Sequence, residues 1–184
     1  VAAVIDATHP FAVRMARNAD RGALAAGVPR LKLWRPAWAP EPGDRWLEVA
    51  EVAAASRVAA EHGRRPLVSL GGRGLSGFDF TPFAHALVRA IEAPPRLPAN
   101  ADWLEARGPF AVADERRLFA ERGIDVVVTK NAGGEGARAK LTAAREAGLP
   151  VVVIRRPPPP AGPLAASVED ALAWLDQVLA SRQT

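Results

Sequence analysis

The sequence predicts an α/β protein: two parallel-sheet domains facing a shared cleft, with the N-terminal part truncated. Three observations carry this reading. First, short apolar runs such as Val1–Ile5, Asp125–Val128 and Pro150–Ile154 are unbroken and β-branched, as in strands buried on both faces of a parallel sheet. Second, these runs alternate with stretches of helical spacing, the mark of strand-helix-strand crossovers. Third, one such unit occurs twice. A constant 121 residues separates Thr8 from Thr129, Ala26-Gly27-Val28-Pro29 from Ala147-Gly148-Leu149-Pro150, and Arg35-Pro36 from Arg156-Pro157. Three landmarks in register without a gap favour duplication over ordinary helix-to-strand punctuation. Two like halves place the default ligand site in the cleft between them, beyond the strand C-termini.

Taken in order, Val1–Ile5 reads as a strand and Asp6–Pro10 as the turn at its end. Thr8 is expected to cap the next helix and Pro10 to suit its first turn. That helix runs to about Ala26, with Phe11, Met15 and Leu24 offered to the core. Arg30–Trp34 returns as a strand, and Arg35–Pro40, held by two prolines, is a loop. Trp46–Val49 is a short strand, Val52–His62 an alanine-rich helix and Leu67–Leu70 a strand. Gly71–Gly77 contains the letters of a Gly-x-Gly-x-x-Gly fingerprint, but Phe78–Pro82 reads as extended where that fingerprint requires a helix. Ala86–Ile91 is the next strand, Pro94–Pro98 a stiff connection and Arg107–Phe110 a loop. Asp114 is expected to cap a helix reaching Arg122. Asp125–Val128 is a strand, Thr129–Gly134 a polar turn, and Glu135–Ala147 a helix closed by Gly148. Pro150–Ile154 completes this second crossover. A polyproline stretch, Pro157–Pro160, leads to a final amphipathic helix over Val168–Leu179. A domain boundary is expected at Arg64–Pro66, dividing residues 1–64 from 65–184, with the last helix free to pack back on the first domain.

The 184 residues are 49% hydrophobic and 24% charged, enough for a proper core. Without cysteine there are no disulfides, thiolate nucleophiles or cysteine metal sites. His9, His62 and His85 show no ligand spacing, and no metal is expected. No apolar run approaches the roughly 20 residues of a membrane span and no secretory signal is visible, so a cytoplasmic location is expected. Of the 24 basic residues only Lys32, Lys130 and Lys140 are lysines. The arginines are scattered, without the basic runs of nucleic-acid modules, and suit a small anionic ligand better. A monomer that binds neither nucleic acid nor membrane is expected. The chain opens at Val1, inside a strand and without methionine, which suggests elements lost upstream.

Neither Ser69 nor Ser76 has a histidine and an acid in a recognisable arrangement. Polar residues gather at strand ends instead, which points to binding and orientation with the hard chemistry left to a cofactor. In the turn after Val128, the Lys130 ammonium and the backbone amides of Gly133 and Gly134 would meet a phosphate or carboxylate. His9 holds the corresponding place in the first crossover, as a ligand contact, proton donor or simple capping residue. Arg35 and Arg156 become anion contacts if the cleft exists, and Trp34, Trp38 and Phe11 read as packing residues.

Together, Asp6-Ala7-Thr8-His9-Pro10-Phe11-Ala12, Arg35-Pro36-x-Trp38, Arg107-Gly108-Pro109-Phe110, Thr129-Lys130-Asn131-x-Gly133-Gly134, Lys140-Leu141 and Arg155-Arg156-Pro157 resemble the precorrin-6A reductase family of the cobalamin pathway. The resemblance spans nearly the whole chain. It implies two Rossmann-like domains around a cleft, and NADPH-dependent reduction of one ring C=C bond of precorrin-6A to precorrin-6B. The substrate it implies is a carboxylate-rich tetrapyrrole, metal-free or cobalt-bearing. Family members begin with a strand and a Gly-Gly-Thr-x-Glu-like turn that this chain lacks, and Ala132 and Gly74 depart from the usual residues. Thr129, Lys130, Asn131, Gly133 and Gly134 are assigned to anions of the cofactor or the substrate, and Gly72 and Arg73, from the Gly71–Gly77 turn, join them as cofactor contacts. Thr8, Arg35 and Arg156 are assigned to substrate carboxylates, and His9 or water to the proton. Two rival readings remain: a non-catalytic tetrapyrrole- or nucleotide-binding module, and a nucleotide-sugar transferase. NADPH oxidation with precorrin-6A, and thermal stabilisation by NADPH but not UDP-sugars, would exclude them in turn.

Overall fold

Valine-rich runs too short for helices become strands. The computed structural model, which describes residues 1–182, places nine of them among those residues in two wholly parallel sheets. The chain divides into two units. Unit 2, Trp38–Arg155, contains β3 (Arg45–Val49), α2 (Val52–His62), β4 (Pro66–Ser69), β5 (Ala86–Ala90), β6 (Ala101–Glu105), α3 (Val112–Arg122), β7 (Val126–Lys130), α4 (Ala139–Glu146) and β8 (Pro150–Ile154). Its sheet has the order β3-β8-β7-β4-β5-β6. Unit 1, formed by Val1–Ala37 and the chain from Arg156 onward, contains β1 (Val4–Asp6), α1 (Val13–Ala25), β2 (Arg30–Leu33), β9 (Leu164–Ala165) and α5 (Val168–Ala180), with the strand order β1-β2-β9.

The core of unit 2 follows from strand alternation. Trp46, Val151, Val127, Leu67 and Leu87 lie side by side across five strands. This row packs under Phe119 of α3 and Leu141, Ala143 and Ala144 of α4. The next row, Leu47, Val152, Val128, Val68 and Val88, points to the other face by the two-residue period. There α2 covers β3, β7 and β8 with the fully buried Ala55 and Ala59. Covering both faces explains why the β7 and β8 sequences do not alternate. In unit 1 a smaller core joins Leu31, Ala165 and Ala171, with Trp174 of α5 packed on it.

The division differs from the expected boundary at Arg64–Pro66. β3 pairs along its whole length with β8, from Arg45↔Pro150 to Val49↔Ile154, so β3 and α2 belong to the second unit. The expected boundary is itself bolted into that unit: the backbone N–H groups of Arg64 and Arg65 each donate to the Asp125 carboxylate at 2.8 Å. The crossings fall instead beside Pro36 and Pro157, at the two Arg-Pro exits from β2 and β8.

The repeat is partial. The last turns of α1 and α4 match bond for bond at the offset of 121: Ala26 to Gly22 and Ala147 to Ala143, Gly27 to Leu24 and Gly148 to Arg145, Val28 to Ala23 and Leu149 to Ala144. Gly27 and Gly148 close both with positive φ, 62° and 65°. The strands before the helices do not keep the offset. Asp6 pairs with Lys32 whereas Thr129 pairs with Val153, so Asp6, not Thr8, stands where Thr129 stands. His9 therefore lies beyond the place of Lys130.

Smaller differences have local causes. α1 starts at Val13, three residues past Pro10, and buries Ala16 and Ala23, while Met15 and Leu24 face outward. Thr8 does not cap it. The run after Gly134 begins with a 3₁₀ turn, Glu135–Ala137, before α4. Asp114 sits in the first turn of α3, paired with Arg117, rather than at its cap. β6 and β9 had no apolar run to announce them: β6 is an edge strand with one buried residue, and β9 is two residues long.

Gly63 precedes the Asp125 clamp in extended backbone, φ −168°, so its requirement is steric. A Cβ there would collide with Asp125 Oδ1 and lie 2.7 Å from Val126 Cγ1. Gly63→Ala is expected to lower the unfolding free energy by about 1–3 kcal/mol, read as a reduced denaturant midpoint at unchanged slope.

Candidate functional site

From β4 the chain of unit 2 steps outward to β5 and β6, and from β7 it steps the other way to β8. β4 and β7 are neighbours, so the direction of winding reverses between them. At such a switch point the loops part and leave a crevice at the strand C-termini. The turns leaving both strands are built alike. Gly71 (φ 74°, ψ 153°) precedes the 3₁₀ turn Gly72–Leu75, and Gly134 (φ 77°, ψ 163°) precedes the 3₁₀ turn Glu135–Ala137. Only glycine enters that backbone region at no cost.

Lys130 spans the crevice. As the last residue of β7 it donates from Nζ to the Leu70 carbonyl at 2.9 Å, and a Cβ on Gly74 would collide with the same Nζ. A side chain at Gly74 would therefore displace the ammonium from its present place. Burial lowers the pKa of Lys130 below the ordinary lysine value. Arg73 projects from the neighbouring turn with its side chain 91% exposed, and meets Glu92 at 3.6 Å.

The second turn is held from beneath by Trp38. The Asn131 amide accepts from the Trp38 backbone N–H and donates to its carbonyl, both at 2.9 Å, and the Trp38 indole N–H donates to the Gly134 carbonyl at 2.8 Å. Gly108 packs against the same turn, since a Cβ there would lie 2.8 Å from the Gly136 carbonyl; the Gly108–Pro109 bond is cis. Below Trp38 lies a buried charge cluster. Lys140 Nζ donates to the Ala137 carbonyl at 2.7 Å and lies 5.2 Å from the centre of the Trp38 ring. Arg89 donates to Glu115 at 2.7 Å and stacks over Phe110. Burial, with the Arg89 charge adding to it and Glu115 opposing, lowers the Lys140 pKa to about 7.

In unit 1 the chemistry gathers at the ends of β1 and β2. Lys32, wholly buried, uses all three ammonium protons: on Asp6 Oδ1 at 3.0 Å, on the Thr8 carbonyl at 2.7 Å and on Thr8 Oγ1 at 2.9 Å. Thr8 donates its N–H and its hydroxyl to Asp6 Oδ1. Burial pushes the Asp6 carboxyl up, but the Thr8 and Lys32 hydrogen bonds together outweigh it and the pKa is lowered. The braced turn presents His9, exposed, whose Nδ1 accepts from the Phe11 N–H at 3.2 Å. In the neutral ring the proton therefore sits on Nε2. Arg156 donates to the Arg35 carbonyl at 2.7 Å and lies 5.3 Å from the centre of the Trp34 ring. Burial, and after it the Arg35 charge, lowers the Arg156 pKa, a strain that a bound anion would relieve.

The residues expected at the site fall into two classes. Lys130, Gly133, Gly134, Gly72 and Arg73 line the switch point, while Thr129 and Asn131 turn their side chains inward: Thr129 is buried with its hydroxyl on the Lys130 carbonyl, and Asn131 is locked to Trp38. Thr8 likewise spends its hydroxyl inside its own turn, while Arg35 and Arg156 stand together. Sequence reasoning missed Lys32, Arg89 and Glu115, quoted Asp6 and Lys140 within motifs without giving them a role, and read Trp38 as packing alone. The rarity of lysine in an arginine-rich chain was the available signal for Lys32 and Lys140. Among the described residues no helix is long and apolar enough to cross a membrane, and no group of three or more His, Asp or Glu side chains would hold a metal ion.

A family model described as Precorrin-6x reductase CbiJ/CobK matches residues 1–176. The precorrin-6A reductase of Rhodococcus erythropolis is 45% identical over 177 residues, covering 95% of this chain and 71% of the relative. That of Rhodobacter capsulatus is 41% identical, covering 95% and 70%. A solved structure titled CobK precorrin-6A reductase superposes with a TM-score of 0.88 at 40% identity, covering 97% of this chain and 72% of that one.

Two outcomes are expected from this geometry. Asn131→Ala strips two buried backbone groups of Trp38 of their partners and is expected to cost about 1–3 kcal/mol in chemical denaturation. For Lys140, the unfolded chain titrates near 10.5 and the folded chain near 7. Between those pH values the unfolded state holds the extra proton, so this lysine makes stability rise with pH through the window and contributes no slope below it. Lys140→Met is expected to flatten that rise, with Lys130 leaving a residual slope, in melting curves taken from pH 6 to about 10.

Proposed function

The chain belongs to the precorrin-6x reductase family, and on that premise we propose that it reduces precorrin-6A in cobalamin biosynthesis, with hydride from NADPH held at the β4–β7 switch point. One observation carries the placement: the two glycine turns and Lys130 meet where the winding of the sheet reverses. The residues fit such a group. A Cβ at Gly71 would meet nothing within 4 Å, so the turn offers a surface clear of side chains beside an ammonium, the setting a pyrophosphate needs.

In this reading Lys130 and the backbone of Gly72, Gly133 and Gly134 hold the phosphates, with Arg73 at the rim. Thr129 and Asn131 serve the cofactor through the turn they keep in shape. When bound, the nicotinamide supplies the hydride that reduces one ring C=C bond. The protein contributes alignment and electrostatics. Arg35 and Arg156 take substrate carboxylates, because two guanidinium groups held close are relieved by an anion. Thr8, with Lys32 and Asp6, fixes the turn that presents Nε2 of His9, and the proton comes from the imidazolium form of His9, which returns to the neutral ring, or from water. As part of the same proposal the enzyme works as a cytoplasmic monomer.

The purified protein is expected to consume NADPH, followed by absorbance, only when precorrin-6A is present. No oxidation would leave the rival of a non-catalytic binding module. Lys130→Ala is expected to raise the KM for NADPH about tenfold or more in a protein that still folds, the effect of removing a single ammonium–phosphate interaction. Wild-type kinetics in that variant would remove Lys130 from the site.

A further inference from the structure

Read from the far edge, the sheet of unit 2 runs β6-β5-β4-β7-β8-β3. This is the six-strand order 3-2-1-4-5-6 of dinucleotide-binding sheets, with β4 in first place, β5 second and β7 fourth. β3 fills the sixth place although it precedes the others in sequence. In that order the end of the second strand faces the ribose of the adenosine half. An acidic residue about twenty positions beyond the glycine turn accepts from the ribose 2′-hydroxyl, and an arginine nearby takes a 2′-phosphate.

Both residue types stand at that place here. Glu92 lies just past the end of β5 and twenty residues after Gly72. Its carbonyl would be 3.1 Å from a Cβ on Gly72, so the two loops meet backbone to backbone, and its carboxylate lies 3.6 Å from the Arg73 guanidinium. Both side chains are exposed, 91% for Arg73 and 76% for Glu92, and such a pair adds little to stability. The same loops wall a cavity of about 870 Å³ whose lining includes Leu75, Phe78, Phe80, Pro95 and Leu97, with apolar surface and room for a purine.

We propose that Arg73 and Glu92 select between NADPH and NADH, with Arg73 taking the 2′-phosphate and Glu92 favouring the 2′-hydroxyl. The inference rests on the cofactor reading above and adds its specificity. The two side chains act in opposition. With Arg73 present the local charge is neutralised and the phosphate is accepted. Without it, Glu92 faces the phosphate alone and repels it, while still accepting a hydrogen bond from the hydroxyl.

The test is equilibrium binding of NADP⁺ and NAD⁺ to the whole protein by calorimetry, with no tetrapyrrole present. Arg73→Ala is expected to lower the ratio of NADP⁺ to NAD⁺ affinity about tenfold or more, the size of one charge-assisted hydrogen bond. Glu92→Gln is expected to raise that ratio, and Arg73→Lys to restore part of it. Ratios that stay within about twofold in both variants, or that move in the same direction, overturn the inference. If the wild type then still oxidises NADPH with precorrin-6A, the function stands and only the selector falls. Binding of neither nucleotide by the wild type overturns the selector and the cofactor reading together.

Discussion

The parallel pairing of β4 with β7, from Pro66↔Val126 to Ser69↔Thr129, is the constraint on which the rest of unit 2 depends. It brings together two strands 60 residues apart and makes the winding reverse between them, the setting in which open α/β sheets hold ligands. The register matters as much as the pairing. It ends β4 and β7 at the same level, so that Lys130 reaches Leu70 and its ammonium lies against Gly74. A slip by one residue would turn Lys130 to the other face of the sheet and bury its charge under a helix. The valine run would tolerate that slip, so the register is pinned at its polar ends, by Asp125 on the Arg64 and Arg65 N–H groups and by Lys130 on the Leu70 carbonyl.

Lysine is kept in this arginine-rich chain only where a compact ammonium does what a guanidinium cannot. Lys32 places three protons on three oxygens of one turn in a space with no exposure to solvent. Lys130 threads between two turns, and Lys140 sits under an indole with its donor on a single carbonyl. A planar fork with five donors would leave several of them unsatisfied at any of these places. The cost is desolvation, which lowers the pKa of Lys130 and Lys140 and leaves them responsive to small changes in their surroundings.

What could be read from the sequence was local. β-Branched runs marked β1, β7 and β8, an alanine-rich stretch marked α2 over the residues it occupies, and glycines marked the turns of the site. What could not be read was whatever depends on distant partners. Asn131 looked like a ligand contact, yet its amide is taken by Trp38, 93 residues away. Thr8 looked like a helix cap until Lys32 and Asp6 claimed its hydroxyl. Met15 and Leu24 looked like core because hydrophobicity does not say which side of α1 meets the sheet, and the small side of the helix won. The repeat was visible at the helix ends, where capping chemistry fixes residue types. It failed at the strands, where a shift of two residues preserves the inward face and leaves no trace in the pattern. The boundary misled for a related reason: an Arg-Arg-Pro segment reads as a linker, but Asp125 caps it as the start of a strand.

Unit 2 is one continuous stretch, whereas unit 1 is assembled from both sides of it. During synthesis β1 and α1 emerge before unit 2, whereas β9 and α5, which join their sheet and core, emerge after it. Vectorial synthesis therefore lets unit 2 fold while β1, α1 and β2 wait as an unfinished sheet with Leu31 uncovered. Folding order and synthesis order are inverted for these elements, and a pause between β8 and β9 would leave β1 and β2 without the strand and helix that complete them.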